Sequence, residues 1–537
     1  MDGEVPSPSP SRKVGFTYRL FRSFFRFLTS IWFREVNLVD DESLGDEAGV
    51  LFITWHPNGL IDPMLMTARL PGRVTTLVHH RLFNFPFVGW LFRAAGVVPI
   101  GTTGPEMLNI VRGPSTADVL ATCAEELANG GRVLMFPEES THGASTVQHV
   151  RSGVSRLLLS AYRKADALGR PRPRLVPVGL HYSNSHRFRE RAAIVLERAM
   201  TLPEPPAEGN GEAWVEDVTN AIEVELGRVN HAKSTWRDRT LIWKGRSVVH
   251  AEKMRQSGEA LTPPSYAEAV LGARRLRAGW EYMVVHDPRA ANELVELCEA
   301  HFQELDHRSL RPIDIDARPP QLTASGYLRV LGSWLWSLVW MFGLVTWGAM
   351  IGNYLPYKFQ SLVDRWNRSR GMDDSLLGSV KVLSSLVVFP LWWLLLSLSL
   401  VWTLLDDQSP VYSVLSSHQL LRYVTDLPAA GTFVFFMLFW PLAARAHMKL
   451  YARLVRSTRR LRQWAAWKDE TNEWQRLVTT QRTIAERLVG LGAALVLPGD
   501  HDWEDPPAGH DDVSVVRPRE GPAASASDSG ISAQGFE

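Results

Sequence analysis

Residues 50–66 read VLFITWHPNGLIDPMLM. Val50–Thr54 is a short apolar run, the pattern of a buried strand. His56 follows, then a turn built from Pro57, Asn58 and Gly59, then Asp62 and Pro63. A histidine can take a proton from a hydroxyl near neutral pH. A carboxylate close to it fixes its tautomer and steadies the imidazolium that forms. A turn histidine beside a helix-capping aspartate is the competing reading of the same residues.

The surroundings of this stretch are those of an α/β domain. Further strands are expected at Val74–His79, Gly96–Ile100, Arg132–Pro137, Leu175–Leu180 and Ala192–Leu196, with helical patterns between them. The clearest helix runs from Thr116 to Asn129, entered through Pro114–Ser115 and closed by Gly130 and Gly131. The alternation predicts a mixed sheet flanked by helices over residues 49–201. No GxxxxGK[ST] loop, strand-linked GxGxxG or GxSxG elbow occurs, which removes the usual nucleotide and serine-hydrolase readings.

Composition narrows the class. The chain has 537 residues and a net charge of +1, so no global field points to nucleic acid. Two cysteines, Cys123 and Cys298, exclude a disulfide framework or a Cys-rich metal site and fit a reducing compartment. The twenty tryptophans are concentrated after residue 330, as expected near membrane interfaces. No secretory signal pattern stands at residues 1–13, which are Pro/Ser-rich and expected to be disordered.

Residues 14–48 are expected to form an interfacial amphipathic helix and a linker. Phe16, Phe21, Phe24, Phe25, Phe27, Trp32 and Phe33 alternate with Arg19, Arg22, Arg26 and Arg34, which suits aromatics down in lipid and arginines out. A core-packing helix with snorkelling arginines is the other reading. Residues 202–325 are expected to be a soluble helical insert, with a helix pair broken at Asp287–Pro288.

Residues 326–447 are expected to be a helical membrane domain. Three stretches, 330–357, 382–405 and 427–444, are uncharged and long enough to reach across a hydrocarbon core. The loop 353–380 carries Lys358, Arg365, Arg368 and Arg370, and 445–462 carries seven cations and no acid. The loop 406–427 has Asp406, Asp407 and Asp426 against Arg422. These charges place the first two loops in the cytosol and the third outside. With the α/β domain also cytosolic, the first stretch must dip in and return, and Gly332, Gly343, Gly348 and Gly352 suit a broken, re-entrant helix. Two crossings and one re-entrant element are expected, with three crossings as the alternative. Residues 448–497 continue as an amphipathic helix whose basic first half suits an anionic lipid surface, and 498–537 read as a disordered tail.

Four stretches of the α/β domain belong together. They are His56–Asp62; Gly96–Ile100 after Arg81; Phe136-Pro137-Glu138-Glu139-Ser140-Thr141-His142; and Val176-Pro177-Val178-Gly179-Leu180-His181-Tyr182 with the following Arg187 and Arg189. In these motifs the chain resembles the PlsC-type glycerolipid acyltransferases, and most closely the branch acting on glycerol 3-phosphate or dihydroxyacetone phosphate, whose HxNxxxDP motif here reads HPNGLIDP. The resemblance covers roughly residues 30–200 and more loosely the apolar region after 330. It implies that His56 is the general base and Asp62 its orienting partner, with no metal and no cofactor beyond the co-substrate acyl-CoA or acyl carrier protein. Glu138, with Ser140 and His142 of the same motif, would serve the acceptor. Arg187 and Arg189, with Arg151 and Arg81, are candidates for its phosphate. The implied partners are the bilayer, the acyl thioester and a glycerol phosphate or lysophospholipid. The implied location is the cytosolic face of a bacterial inner membrane or of the endoplasmic reticulum.

Two departures bear on the acceptor. Glu139 stands where the family has Gly, and Gly101–Thr102 follow the second motif where an Arg is common. They favour a lysophospholipid acceptor over glycerol 3-phosphate. A membrane scaffold that kept the fold and lost catalysis is the reading from another class. A transporter fits less well, because the apolar stretches lack ionisable residues.

Overall fold

The structure, a computed structural model, describes residues 15–39, 48–79, 89, 98–100, 116–138, 141–144, 146–184, 187–207, 209, 211–231, 236–259, 261–315, 323–419, 422–469 and 471–519. The chain divides into two compact units. One holds residues 1–300, 374–378 and 483–537, and the other holds 301–373 and 379–482.

The first unit is built on a seven-stranded sheet. Its strands are β1 (Phe33–Val39), β2 (Val50–Ile53), β3 (Thr75–His79), β4 (Val98–Ile100), β5 (Arg132–Met135), β6 (Arg174–Tyr182) and β7 (Glu190–Leu196). They lie in the order β1-β7-β6-β2-β5-β3-β4, and every pair is parallel except β6–β7. All six expected strands are present within a few residues of their expected ends. β1 is an addition: Phe33–Val39 had been read as part of the helix and linker, and it pairs with β7 from Phe33↔Glu190 to Val39↔Val195.

β2 is central and buried on both faces, which is why Val50, Leu51, Phe52 and Ile53 are all apolar. Leu51 and Ile53 pack under α3 (Thr116–Ala128), α4 (Gly153–Ala167) and α5 (Glu212–Val229), which supply Val119, Leu127, Leu157, Leu158, Val218 and Ile222. α5 lies beyond residue 201, the expected edge of the domain, yet it supplies part of this core. It is joined in the same unit by α6 (Trp236–Ser257), α7 (Tyr266–His286) and α8 (Pro288–His307) as far as Ala300, the last two helices separated at Asp287 as the sequence suggests.

α1 (Phe16–Trp32) meets the arginines-out expectation in part: Arg19, Arg26 and Arg34 are exposed and Arg22 is half-buried. Tyr18, Phe21, Phe25 and Trp32 are buried, and Arg22 and Arg26 turn onto the end of α2 (Ile61–Arg69). Arg22 donates to the carbonyls of Ala68, Leu70 and Gly72, and Arg26 Nε donates to Ala68 O at 3.0 Å. The last carbonyls of a helix have no intrahelical donor and carry negative partial charge, so guanidinium groups settle there. A separate stripe of α1 (Phe16, Leu20, Phe27 and Ile31) remains exposed.

Residues 498–519 correct the disordered-tail expectation. β8 (Leu495–Val496) pairs with β9 (Arg517–Pro518), and a 3-10 turn at Asp512–Val515 is held by buried cations. Arg274 binds Asp512 at 3.0 Å and Glu197 at 3.1 Å, Arg228 binds Asp512 at 3.1 Å, and Arg277 binds Asp511 at 2.9 Å. Part of the polar composition therefore serves buried arginines, while much of the rest of the segment is exposed.

The second unit is helical. α9 (Ala324–Met341) and α10 (Leu344–Ser369) meet at a 65° bend around Phe342–Gly343. α11 (Asp374–Leu404) is followed by the short α12 (Pro410–Ser417) and α13 (Arg422–Thr425), then α14 (Ala429–Asp469) and α15 (Thr471–Ala494). Among the described residues, two helices are long and apolar enough to cross a membrane, Ser375–Leu404 and Ala429–Lys468, or three spans if the bent pair counts as one. The helix expected to continue over 448–497 is the second half of α14, continuous with its apolar first half, followed by α15.

Polar groups in these apolar helices are matched internally. Pro356 has no N–H to offer Gly352 O one turn earlier, and the Trp393 indole donates to that carbonyl at 3.0 Å. Gly352 also admits Trp440, since a Cβ there would lie 2.6 Å from the indole ring. Trp440 Nε1 in turn donates to Ser397 Oγ at 3.2 Å.

Beyond its active face the sheet carries a pH-sensitive pair. His181 of β6 packs against His231 with ring centroids 4.6 Å apart. Burial, and then Arg239, pushes His181 down to about 3, and burial followed by His181 holds His231 well below the usual range. The native state thus refuses protons that the unfolded chain binds below about pH 6.5. Stability from this pair is complete above that pH and is lost as the pH falls toward 3. Thermal melts across this range should show a steep fall in midpoint, and His181→Leu should flatten the slope; an unchanged slope would show the pair plays no part in acid unfolding.

Candidate active site

The parallel strands β2 and β5 and the longer β6 end at the same edge of the sheet, where open α/β sheets bind ligands. The chain leaves β2 through Thr54, Trp55 and His56, and leaves β5 through Phe136, Pro137 and Glu138. The two exits stay paired: Thr54 N donates to Met135 O at 3.4 Å, and His142 N to His56 O at 3.4 Å.

Gly59, at φ 47°, turns the backbone through the left-handed region and starts α2 immediately afterwards. Asp62 therefore sits in the first turn of a helix, where the macrodipole favours negative charge. Its side chain is 0 % exposed. Oδ2 accepts from His56 Nδ1 at 2.8 Å and from Asn58 N at 2.8 Å, and Oδ1 accepts from Tyr182 OH at 2.6 Å. Each bond to an ionised acceptor contributes about 1.5–3 kcal/mol, so three together offset the several kcal/mol that burying a carboxylate costs.

The bond to a carboxylate assigns a proton to His56 Nδ1, which leaves the Nε2 lone pair as the basic face of the ring. The ring is stacked on Phe136 at 4.2 Å between centroids and is 17 % exposed, so it is fixed in orientation yet open to a small reactant. The sequence places His56 and Asp62 six residues apart, and the turn brings them into direct contact. This geometry suits proton abstraction from a hydroxyl.

Glu138 lies between the two strand exits. Its side chain is buried and its oxygens are occupied: Oε2 accepts from His56 N at 2.9 Å, and Oε1 accepts from His142 Nε2 at 2.8 Å and Gln148 N at 2.7 Å. His142 is used on both nitrogens, since Nδ1 accepts from Ala144 N at 3.3 Å. The pair braces the loop after β5 against the backbone of His56.

The proposed phosphate arginines separate. Arg189 donates through its guanidinium to Ser30 O at 3.2 Å and Phe33 O at 3.3 Å, and through its backbone N–H to Trp32 O at 2.7 Å, so it ties down the end of α1. Arg187 is exposed on the loop after β6. Arg151 is exposed too, and its backbone N–H bonds Pro137 O at 3.0 Å, which keeps it beside the third motif. Arg81, Glu139 and Ser140 lie outside the described residues, as does most of the second motif apart from the backbone of β4. Sequence reasoning missed Tyr182 and Gln148. The alternation Val178, Leu180, Tyr182 along β6 was the available signal for Tyr182.

Residues 35–180 match the acyltransferase family. The matched stretch runs from β1 into β6 and contains His56, Asp62, Glu138 and His142, and it ends two residues before Tyr182. Among solved structures, the 1-acyl-sn-glycerophosphate (LPA) acyltransferase PlsC from Thermotoga maritima is similar at 17% identity. The alignment covers 39% of this chain and 79% of that chain, with a TM-score of 0.26. No curated protein matches the chain.

The bracing role of Glu138 is testable. Glu138→Gln replaces one acceptor oxygen with a donor that faces N–H groups. Acyl transfer should fall about 10- to 100-fold, the equivalent of roughly 1.5–3 kcal/mol for a lost charged hydrogen bond, chiefly in kcat. A rise confined to the acceptor KM would return Glu138 to a binding role.

Proposed function

We propose that this chain is a membrane-bound glycerolipid acyltransferase that moves a fatty acyl group from acyl-CoA or acyl carrier protein to glycerol 3-phosphate or dihydroxyacetone phosphate. The observation that carries this reading is the His56–Asp62 contact at the strand ends, within the stretch that matches the acyltransferase family. His56 Nε2 takes the proton of the acceptor hydroxyl as the oxygen attacks the thioester carbonyl. Asp62 holds the ring and steadies the imidazolium. The tetrahedral intermediate then collapses, the C–S bond breaks, and the imidazolium returns its proton to the departing thiolate. Charge balances at each step, and the ester and the free thiol are the products.

The acceptor phosphate requires cations or backbone N–H groups. Arg187 and Arg151 remain candidates for it by position, together with Arg81 by motif, whereas the guanidinium of Arg189 is engaged with α1. A lysophosphatidate or other lysophospholipid acceptor is the second reading. It is favoured by Glu139 in place of the family Gly and by the absence of an Arg after Ile100.

A bilayer location suits either acceptor, because donor chain and product are amphiphilic. The long apolar helices α11 and α14 support it, as does the exposed Phe16–Leu20–Phe27–Ile31 stripe of α1, which fits a lipid surface. The cationic residues 445–462 of α14 follow directly on its apolar half, as expected where a span emerges on the cytosolic side among anionic headgroups.

Membranes carrying the protein should release thiol from palmitoyl-CoA when given glycerol 3-phosphate or dihydroxyacetone phosphate, and His56→Ala should remove at least 10²-fold of that rate. Product with lysophosphatidate alone would establish the second reading. No His56-dependent product with any acceptor, with either CoA or carrier-protein donor, would reject both and leave the non-catalytic scaffold.

A further inference from the structure

We propose that Tyr182 is a positioning residue that tunes the dyad: by donating its phenol proton to Asp62, it keeps His56 in the unprotonated form that acts as base. The inference rests on the proposed acyl transfer for its meaning, but its geometry stands independently.

Asp62 serves two groups that need opposite things. A carboxylate with its full charge on the His56 side would hold the imidazole firmly in place, and it would also favour the imidazolium in the resting state. A protonated His56 has no lone pair to offer a hydroxyl. Each further donor to the carboxylate draws charge away from the His56 side and lowers the affinity of the ring for a proton. Asn58 N shares Oδ2 with His56, and Tyr182 takes Oδ1 alone at 2.6 Å, within the short range of O–H···O⁻ bonds. The turn that forms α2 brings Asn58 N to this acid. Tyr182 arrives from another strand, 120 residues later.

The phenol is built to stay a donor. Its ring stacks on Phe33 of β1 at 5.8 Å and 19°, which fixes its orientation. Burial, and then the Asp62 charge, raises its ionisation well above the usual range, so the proton remains on the oxygen at any working pH. Among the described residues, the titratable groups facing the Asp62–Tyr182 pair are His56 from the turn after β2 and Tyr266 from α7. Arg191, Arg239 and Glu35 act on Tyr266 one step further out. Glu138 and His142, in the loop after β5, are bonded to each other.

The sign follows. Removing the Tyr182 hydroxyl returns charge to the His56 side of Asp62 and moves His56 toward the imidazolium, so the acidic limb of the kcat/KM profile shifts to higher pH. The experiment compares full-length wild type, Tyr182→Phe, Asp62→Asn and the double variant in membranes. The first readout is the pH profile of acyl transfer. The second is the rate of His56 carbethoxylation against pH, followed by peptide mass spectrometry. The second readout needs no substrate, so it tests the proposal even if the acyltransferase reading fails.

For Tyr182→Phe we expect a loss of about three- to tenfold in kcat/KM on the acidic limb, recovering toward higher pH, with the labelling midpoint displaced upward by roughly half to one pH unit. In the Asp62→Asn background the same change should have no further effect. Where Tyr182→Phe does not fold, Tyr182→3-fluorotyrosine keeps the ring and strengthens the donor, and should displace the midpoint downward. An unchanged labelling midpoint in a folded variant, or an equal effect of Tyr182→Phe with and without Asp62, would overturn the proposal and leave Tyr182 a packing residue.

Discussion

A single buried carboxylate organises the first unit. Asp62 is fully enclosed, and an enclosed charge is tolerated only where donors replace the lost water. The turn after His56 supplies one donor from the backbone and one from the imidazole, the end of β6 supplies a third, and the start of α2 adds its dipole. The requirement runs on through α2. Its opposite end leaves carbonyls that must also be matched, and α1 meets them with Arg22 and Arg26. α1 is anchored in turn by Arg189 from the loop after β6. The candidate base is thus connected by charge-assisted bonds to the first helix and to the end of β6.

A second set of bonds holds the two strand exits together. Glu138 reaches the backbone of His56, the imidazole of His142 and the backbone of Gln148. Glu138 and His142 thus join the loop after β5 to the turn after β2. Bonds on both sides of His56 fix the position of its ring, as proton transfer requires.

The helical unit follows the same rule in an apolar setting. Pro356 and Gly352 would weaken a helix in water, but here the Trp393 indole bonds the freed carbonyl and Trp440 takes the space. The basic half of α14 is one helix with the apolar half, so the change from apolar to cationic is a change of side chains along a continuous rod and not a joint between two elements.

Much of this was written in the sequence. Six strands, the α3 helix, the break at Asp287, the apolar stretches and the His56–Asp62 spacing depend on local periodicity and turn chemistry, which act over a few residues and can be read from them. The sequence also carried every residue of the dyad's bracing, but not their partners. That Phe33–Val39 is a strand, that α5 belongs to the domain core, that residues 498–519 are ordered, that Arg189 and Glu138 serve structure, and that Tyr182 reaches Asp62 were all decided by tertiary contacts between residues far apart in the chain. A polar side chain looks the same in sequence whether water or a buried partner satisfies it. Only the fold determines which of the two it meets.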